Sequence, residues 1–548
     1  MRILTVAAAL LCLLAASATA QVNFPAPTDP IGNATTPAKA LLGKALFWDE
    51  QLSSSRTMAC GTCHIFRNGG SDPRSNAVTH PGPDGVFGTA DDIHGSPGLV
   101  QQDAAGNYPG STTFGIRPQS TGRKAPSVIN AAYENELFWD GRATSTFFDP
   151  STGLPVLTNN AALESQASGP PQSDVEMGHM GRSWNSIAFD ITNLQPLALA
   201  ENIPANLAAF IAGQSYRSLF QSAFGSAGVT AERIIFAIAA YQRTLISDQT
   251  RYDAFLAGTG TLSPSEQSGF SLFLQFCIIC HLDLLPSSQQ TGPALNDYRK
   301  IGVRPDSDDQ GRFAITGNQF ELGMFKVPQL RNVELRAPYF HNGSKPDLSS
   351  VMNFYNRGGE FGPNIDPNVQ FMAGQISAQD NAELVDFMLT LTDPRVQQEL
   401  APFDRPSLYS ESSRVPQIFG TGTAGSLGLI PTATVETPPF LGNTKFRVGM
   451  DNAPSGMPVF LLLDFAGSTT GMPLLGQTFY LTFNATTQFI GLTAPLSASP
   501  GAGSASQGLA LPVANMFAGL PIFGQWLLLD AAGPFGITSS NAFRVNLF

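Results

Sequence analysis

Cysteine is scarce in this chain: there are five in 548 residues, and one of them, Cys12, lies in the N-terminal apolar run. The other four form two pairs, Cys60/Cys63 and Cys277/Cys280, so the dense disulfide framework of small secreted scaffolds is excluded. Basic residues are also few, 30 Lys and Arg against 42 Asp and Glu, for a net charge of −12. That balance argues against nucleic acid or an anionic membrane as a partner and leaves a basic protein partner open. Past the first residues no apolar run approaches the roughly 20 residues a spanning helix needs. The sequence therefore offers no membrane span.

What is present begins with MRILTVAAALLCLLAASATA, in which Arg2 precedes an apolar run and Ala18-Thr19-Ala20 precedes Gln21. This is the pattern of a cleaved secretory signal, and it predicts a periplasmic or secreted protein. Losing Arg2 with it takes the charge to 29 − 42 = −13. The length predicts two to four domains of about 100–200 residues each.

Both cysteine pairs end in histidine, as CGTCH (60–64) and CIICH (277–281). C-x-x-C-H is the c-type haem attachment pattern, in which two thioethers fix the porphyrin and the histidine becomes the proximal iron ligand. A lone C-x-x-C also suits a redox disulfide or a zinc site. Two copies that together use every cysteine of the mature chain favour two covalent haem c groups on Cys60, Cys63, His64 and Cys277, Cys280, His281. PAKALLGKALF (37–47) and SPSEQSGFSLFLQF (263–276) have helical apolar spacing ahead of the two motifs, and AERIIFAIAAYQRTLIS (231–247) and SAQDNAELVDFMLTLT (377–392) have it behind them. The order is helix, haem, loops, helix, twice.

After about residue 405 the composition changes. Residues 401–548 hold 11 charges, 6 acidic and 5 basic, and short runs such as KFRVGM, PVFLLLDF, TFYLTFN, GQWLLLD and AFRVNLF stand between turn residues. This predicts an all-β, sandwich-like domain. The expected fold class is mostly α, with two cytochrome c-like haem domains followed by that β domain. The expected divisions are a signal peptide at 1–20, a haem domain at 21–246, a second at 247–404 and a β-rich domain at 405–548.

The blocks LGKALFWDEQLSSS, CGTCH, APSVINAAYENELFWDGRA, VEMG (175–178), GRFAITG and FKVPQLRNVELRAPYFHNGS resemble the bacterial diheme cytochrome c peroxidase family, including its MauG-type members, over about residues 37–395. The resemblance implies that the haem on His64 reacts with hydrogen peroxide and the haem on His281 stores and relays electrons. It places Trp139 between the haems and makes Gln166 and Glu176 the distal pair, with Glu176 as general acid/base, the work a peroxide bond's heterolysis requires. Read alone, Trp139 is also an ordinary packing aromatic, Gln166 a helix-surface amide and Glu176 a solvated loop charge.

His80 follows His64 by 80 − 64 = 16 residues, where the family carries a removable distal ligand; His94 competes for that role because the 81–120 loop is long. Tyr355 follows His341 by 355 − 341 = 14 residues, where peroxidases carry a ligating methionine and MauG-type members a tyrosine. A phenolate favours oxidised iron where a thioether favours reduced iron. Tyr355 as core filler, or His341 as the ligand, stays open. At the family's interdomain calcium site this chain carries Lys124 and Arg336, with Pro338 retained, so calcium is expected to be absent or displaced by the Lys124 charge. Asp84, Asp91 and Asp92 lack EF-hand spacing and read as a polar insertion.

The leading expectation is a diheme peroxidase drawing electrons from a small redox protein, a cytochrome c or cupredoxin. A MauG-type oxidase acting on a protein substrate is the alternative favoured by Tyr355, and a diheme electron carrier without turnover is the alternative from another class.

Overall fold

The computed structural model describes residues 24–77, 79–281, 298–493 and 503–548. The secretory signal lies outside the described residues. Two helix pairs build the frame. Helix α1 (Pro37–Trp48) starts at Thr36, whose hydroxyl accepts the Lys39 N–H, with Pro37 at the first position where its missing N–H costs nothing. Further along are α2 (Ala162–Ala167) and α3 (Ala231–Gln242), and α1 packs on α3. Helix α4 (Pro264–Phe276) opens with a reciprocal Ser263/Glu266 cap and packs on α6 (Ala378–Leu389), which opens with Ser377/Asp380; α5 (Leu348–Asn356) lies between them in sequence.

The two crossings repeat each other in detail. A Cβ on Gly43 of α1 would lie 1.8 Å from the Ala237 carbonyl oxygen, and one on Gly269 of α4 would lie 1.9 Å from the Glu383 carbonyl oxygen. Only glycine permits helix axes to approach this closely. The loops repeat as well. Segments 124–143 and 326–345 share a left-handed asparagine (Asn130 and Asn332, both φ 59), a left-handed phenylalanine (Phe138, φ 67; Phe340, φ 68) and a following glycine (Gly141, Gly343). The segments exchange hydrogen bonds: Lys124 N–H donates to the His341 carbonyl at 2.7 Å and Lys326 N–H to the Trp139 carbonyl at 2.8 Å. Trp139 and His341 thus occupy equivalent positions, with ring centroids 6.2 Å apart. Past the second helical unit the chain returns to the first, where Val396, Phe403 and Leu408 join its buried core.

Two strands matter for the site, β1 (Pro97–Val100) and β2 (Pro118–Ser120), paired antiparallel. The C-terminal region supplies β3 (Gln417–Phe419), β4 (Thr432–Thr434), β5 (Arg447–Ala453), β6 (Pro458–Asp464), β7 (Gly467–Leu474), β8 (Gln477–Leu481), β9 (Gln488–Thr493), β10 (Gly503–Gly508), β11 (Pro521–Leu529) and β12 (Ile537–Asn546). They form a five-stranded antiparallel sheet ordered β9-β6-β11-β12-β3, a three-stranded sheet ordered β10-β5-β4 and the hairpin β7-β8. The two larger sheets share one core, with Val448 and Met450 from one and Leu461, Trp526 and Phe543 from the other. The buried Trp526 indole spans it and donates to the Gly449 carbonyl at 2.9 Å. Among the described residues no helix is long and apolar enough to cross a membrane.

Candidate active site

The turn that carries CGTCH follows α1, and its Gly61 has the Trp48 ring against it at a distance a side chain would not allow, 2.2 Å from the position of a Cβ. CIICH leaves the C-terminal end of α4. Both open on a single cavity of about 780 Å³, bordered at one end by Cys60, Cys63 and His64 and at the other by Cys277, Cys280 and His281. Glu176, Gln166, Trp139, His80 and Tyr355 all line the same cavity, so the residues singled out from sequence, up to 355 − 60 = 295 positions apart, are brought together.

The donor set fits two haem c groups. The four thiols form no disulfide, and burial pushes those of Cys60 and Cys277 up to about 12, so these two are neutral thiols. His64 Nδ1 donates to the Gly70 carbonyl at 3.0 Å, which fixes the tautomer that leaves Nε2 free for iron. The His281 ring is pushed down to about 4 by burial, opposed by the Pro328 carbonyl it faces. A neutral imidazole is the ligating form. The Pro126 carbonyl acts on His64 in the same sense, from the equivalent position of the repeated loop.

Glu176 is half-buried on the cavity wall, its carboxyl raised above the usual range by burial and partly restored by the Arg142 guanidinium. Gln166 borders the cavity from α2. Arg142, which the sequence reading passed over, is stacked on Phe138 at 3.6 Å and held by Asp140 at 2.9 Å. Its signal was the FWDGR block itself. Trp139 Nε1 donates to the Lys124 carbonyl at 2.8 Å, which orients the ring on the cavity wall.

His80 is clamped by backbone bonds to Ile93 at 2.9 and 2.8 Å, and its Nδ1 accepts the Gly82 N–H at 3.2 Å. In the neutral ring that acceptor role puts the proton on Nε2, so ligation through Nε2 requires the Gly82 contact to break. His94 is turned elsewhere: its N–H donates to the Asn342 carbonyl at 2.9 Å and its Cβ packs on Gly343. Tyr355, on α5, packs among Phe276, Val369 and Met372, and burial followed by the neighbouring Cys277 and Cys280 raises its phenol above the ordinary value. His341 is buried on the wall of the same cavity and stacked on Phe325 with centroids 3.7 Å apart.

Lys124 bridges the helical units. Its buried ammonium donates to Ser71 Oγ at 2.8 Å and to the Arg336 carbonyl at 2.7 Å, and burial followed by Arg336 pushes it down to about 7. Among the described residues no three His, Cys, Asp or Glu side chains cluster as metal ligands. Asp84, Asp91 and Asp92 accept within local turns, Asp84 from Val86 N–H, Asp91 from Asp84 N–H and the Thr89 hydroxyl, and Asp92 through one oxygen from Gly88 N–H.

Residues 37–261 match the family described as di-haem cytochrome c peroxidase. The chain is 29% identical over 377 residues to the cytochrome c551 peroxidase of Nitrosomonas europaea, covering 67% of this chain and 84% of that one. It is 29% identical over 369 residues to the methylamine utilization protein MauG of Methylophilus methylotrophus, covering 66% and 84%. Among solved structures it is similar to a MauG-like protein associated with microbial copper homeostasis, at 26% identity and a TM-score of 0.49, covering 71% of this chain and 97% of that one.

Proposed function

We propose that this chain, which resembles the di-haem cytochrome c peroxidase family, is an exported c-type peroxidase that reduces hydrogen peroxide to water with electrons from a small redox protein. The observation that carries the reading is the placement of Glu176 and Gln166 on the wall of the cavity that His64 enters. When bound, the two haem c groups supply the iron centres at which the O–O bond is cleaved and through which electrons arrive. We assign His64 and His281 as their proximal ligands, and take residues 21–246 and 247–404 as the two haem domains, the end of the second packing back on the first through Val396 and Phe403.

The chain's own residues supply the proton work. Reduction to water consumes two electrons and two protons per peroxide. Glu176 takes the proton from the near oxygen and returns it to the departing one, and burial sets its affinity nearer neutrality, where an acid/base group works best. Gln166 orients the substrate through its amide. Trp139 bridges the two ends of the cavity. Lys124 takes the place of an interdomain cation, its Nζ donating to the Arg336 carbonyl and carrying its charge below about pH 7.

Tyr355 supports a second reading, a MauG-type oxidase that acts on a protein substrate, because its phenol shares the cavity end with Cys277 and Cys280. Glu176→Gln should lower peroxide turnover with reduced cytochrome c by about 10²–10³-fold; an unchanged rate removes the assigned role. Spectra of the same preparations decide the second reading, since histidine–methionine signals at the His281 haem would exclude it.

A further inference from the structure

We infer that the C-terminal β region is a positioning part of the peroxide site: it holds residues 97–120, and through them it fixes the backbone that presents Glu176. The inference rests on the role proposed for Glu176 and adds to it the elements that place that carboxyl.

The residues just before Glu176 are gripped by β1 and β2. Leu99 N–H donates to the Val175 carbonyl at 2.8 Å, and a Cβ on Gly98 would lie 1.8 Å from that same oxygen. The Gln119 amide donates to the Asp174 carbonyl at 2.7 Å and to the Leu99 carbonyl at 3.3 Å. Backbone and side-chain bonds thus tie positions 174 and 175 to both strands.

The other end of this strand pair is anchored in the β region. Ile116, two residues before β2, is fully buried and forms a small core with Val100 and Tyr108. Its carbonyl accepts the Thr434 hydroxyl of β4 at 2.9 Å. Its side chain seats on Gly449 of β5, where a Cβ would lie 2.8 Å from Ile116 Cγ2 and 3.1 Å from the Tyr108 ring. Arg117 pairs with Asp451 at 3.4 Å, and Tyr108 N–H meets Ser506 Oγ of β10 at 3.4 Å. All three strands of the smaller sheet therefore touch this segment. Proton transfer depends on placement to within about 1 Å, so a segment bonded to both Asp174 and Thr434 couples the tail to the chemistry. Thr434 and Gly449 are the positioning residues.

The test uses the full-length haem-loaded protein with Thr434→Val and Gly449→Ala, and Glu176→Gln for reference. Two readouts apart from turnover are hydrogen exchange of the 97–120 amides and the pH dependence of fluoride binding to the ferric His64 haem. Loss of one buried hydrogen bond should quicken exchange at Leu99 by roughly fivefold. It should also move the fluoride midpoint by about half a pH unit. Wild-type exchange and an unmoved midpoint in both variants would overturn the inference. If Glu176→Gln leaves the fluoride curve unchanged, the role proposed for Glu176 fails, and the exchange data alone decide the mechanical link. Should Gly449→Ala unfold the sheet, Thr434→Val, nearly identical in shape, decides.

Discussion

The two helical units share a backbone and differ in what they place on it. Aligned on their crossing glycines, Phe47 matches Phe273, but Trp48 matches Leu274; aligned on the packing partners of those glycines, Tyr241 matches Phe387. In the loop repeat Trp139 matches His341. The positions that bear packing are duplicated, and those that bear polar or oxidisable groups have diverged. A shared frame therefore carries two different sets of side chains, as expected where fold and site vary independently.

The frame itself is the first place to break the comparison. Gly43→Ala and Gly269→Ala each put a methyl into a helix-backbone contact, at 1.8 and 1.9 Å from a carbonyl oxygen. The helices have to part, so each variant should lose about 3 kcal/mol or more of stability and drop thioether-bound haem from its own unit. Denaturant melts and haem content measure both. A unit that tolerates its alanine would show that the two crossings are not equivalent.

A smaller effect separates the units by acid. His341 is buried and its ring is pushed down to about 3 by burial, the Asp309 carboxylate opposing, whereas Trp139 at the matching position cannot titrate. The unfolded chain binds a proton here near pH 6.5 and the native one only near 3, so stability is lost as pH falls through that window. The slope should reach about 1.4 kcal/mol per pH unit, or roughly 2 kcal/mol between pH 7 and pH 5. Urea midpoints at the two pH values check it, and His341→Gln should flatten the difference.

Much of this was readable from local spacing. The four core helices lie where their apolar periodicity put them, and α3 stops at Gln242 instead of near 247 because Arg243 turns to the buried Glu164 at 2.7 Å and Ser247 N–H to Asn130 at 2.8 Å. The motif cysteines, Glu176, Trp139 and Tyr355 line one cavity. Long-range facts left no such trace. The Gly82 bond to His80 depends on a turn two residues away, and the anchoring of Ile116 by Thr434 spans 318 positions. β7 and β10 were missed because their residues, GSTTGMPL and GSASQG, lack the apolar alternation that marks a strand; their pairing partners make them strands.

The smallest test concerns the pair that only the first unit carries. Trp48 Nε1 donates to the Tyr241 hydroxyl at 3.2 Å, with both rings almost wholly buried. Tyr241→Phe makes the first unit resemble the second, where Phe387 packs on Phe273 without a polar atom. It leaves a buried indole N–H without its acceptor, a loss of about 1–2 kcal/mol. The reverse change, Phe387→Tyr, puts a hydroxyl beside Phe273, and since Leu274, which matches Trp48 in register, is apolar and exposed, nothing equivalent donates to it, and it should cost a similar amount. Double exchange is the sharper experiment. If Leu274→Trp combined with Phe387→Tyr recovers stability beyond the sum of the single changes, measured by a double-mutant cycle in urea, the second frame accepts the first unit's pair. An additive result would locate the divergence in the packing around the pair and not in the pair itself.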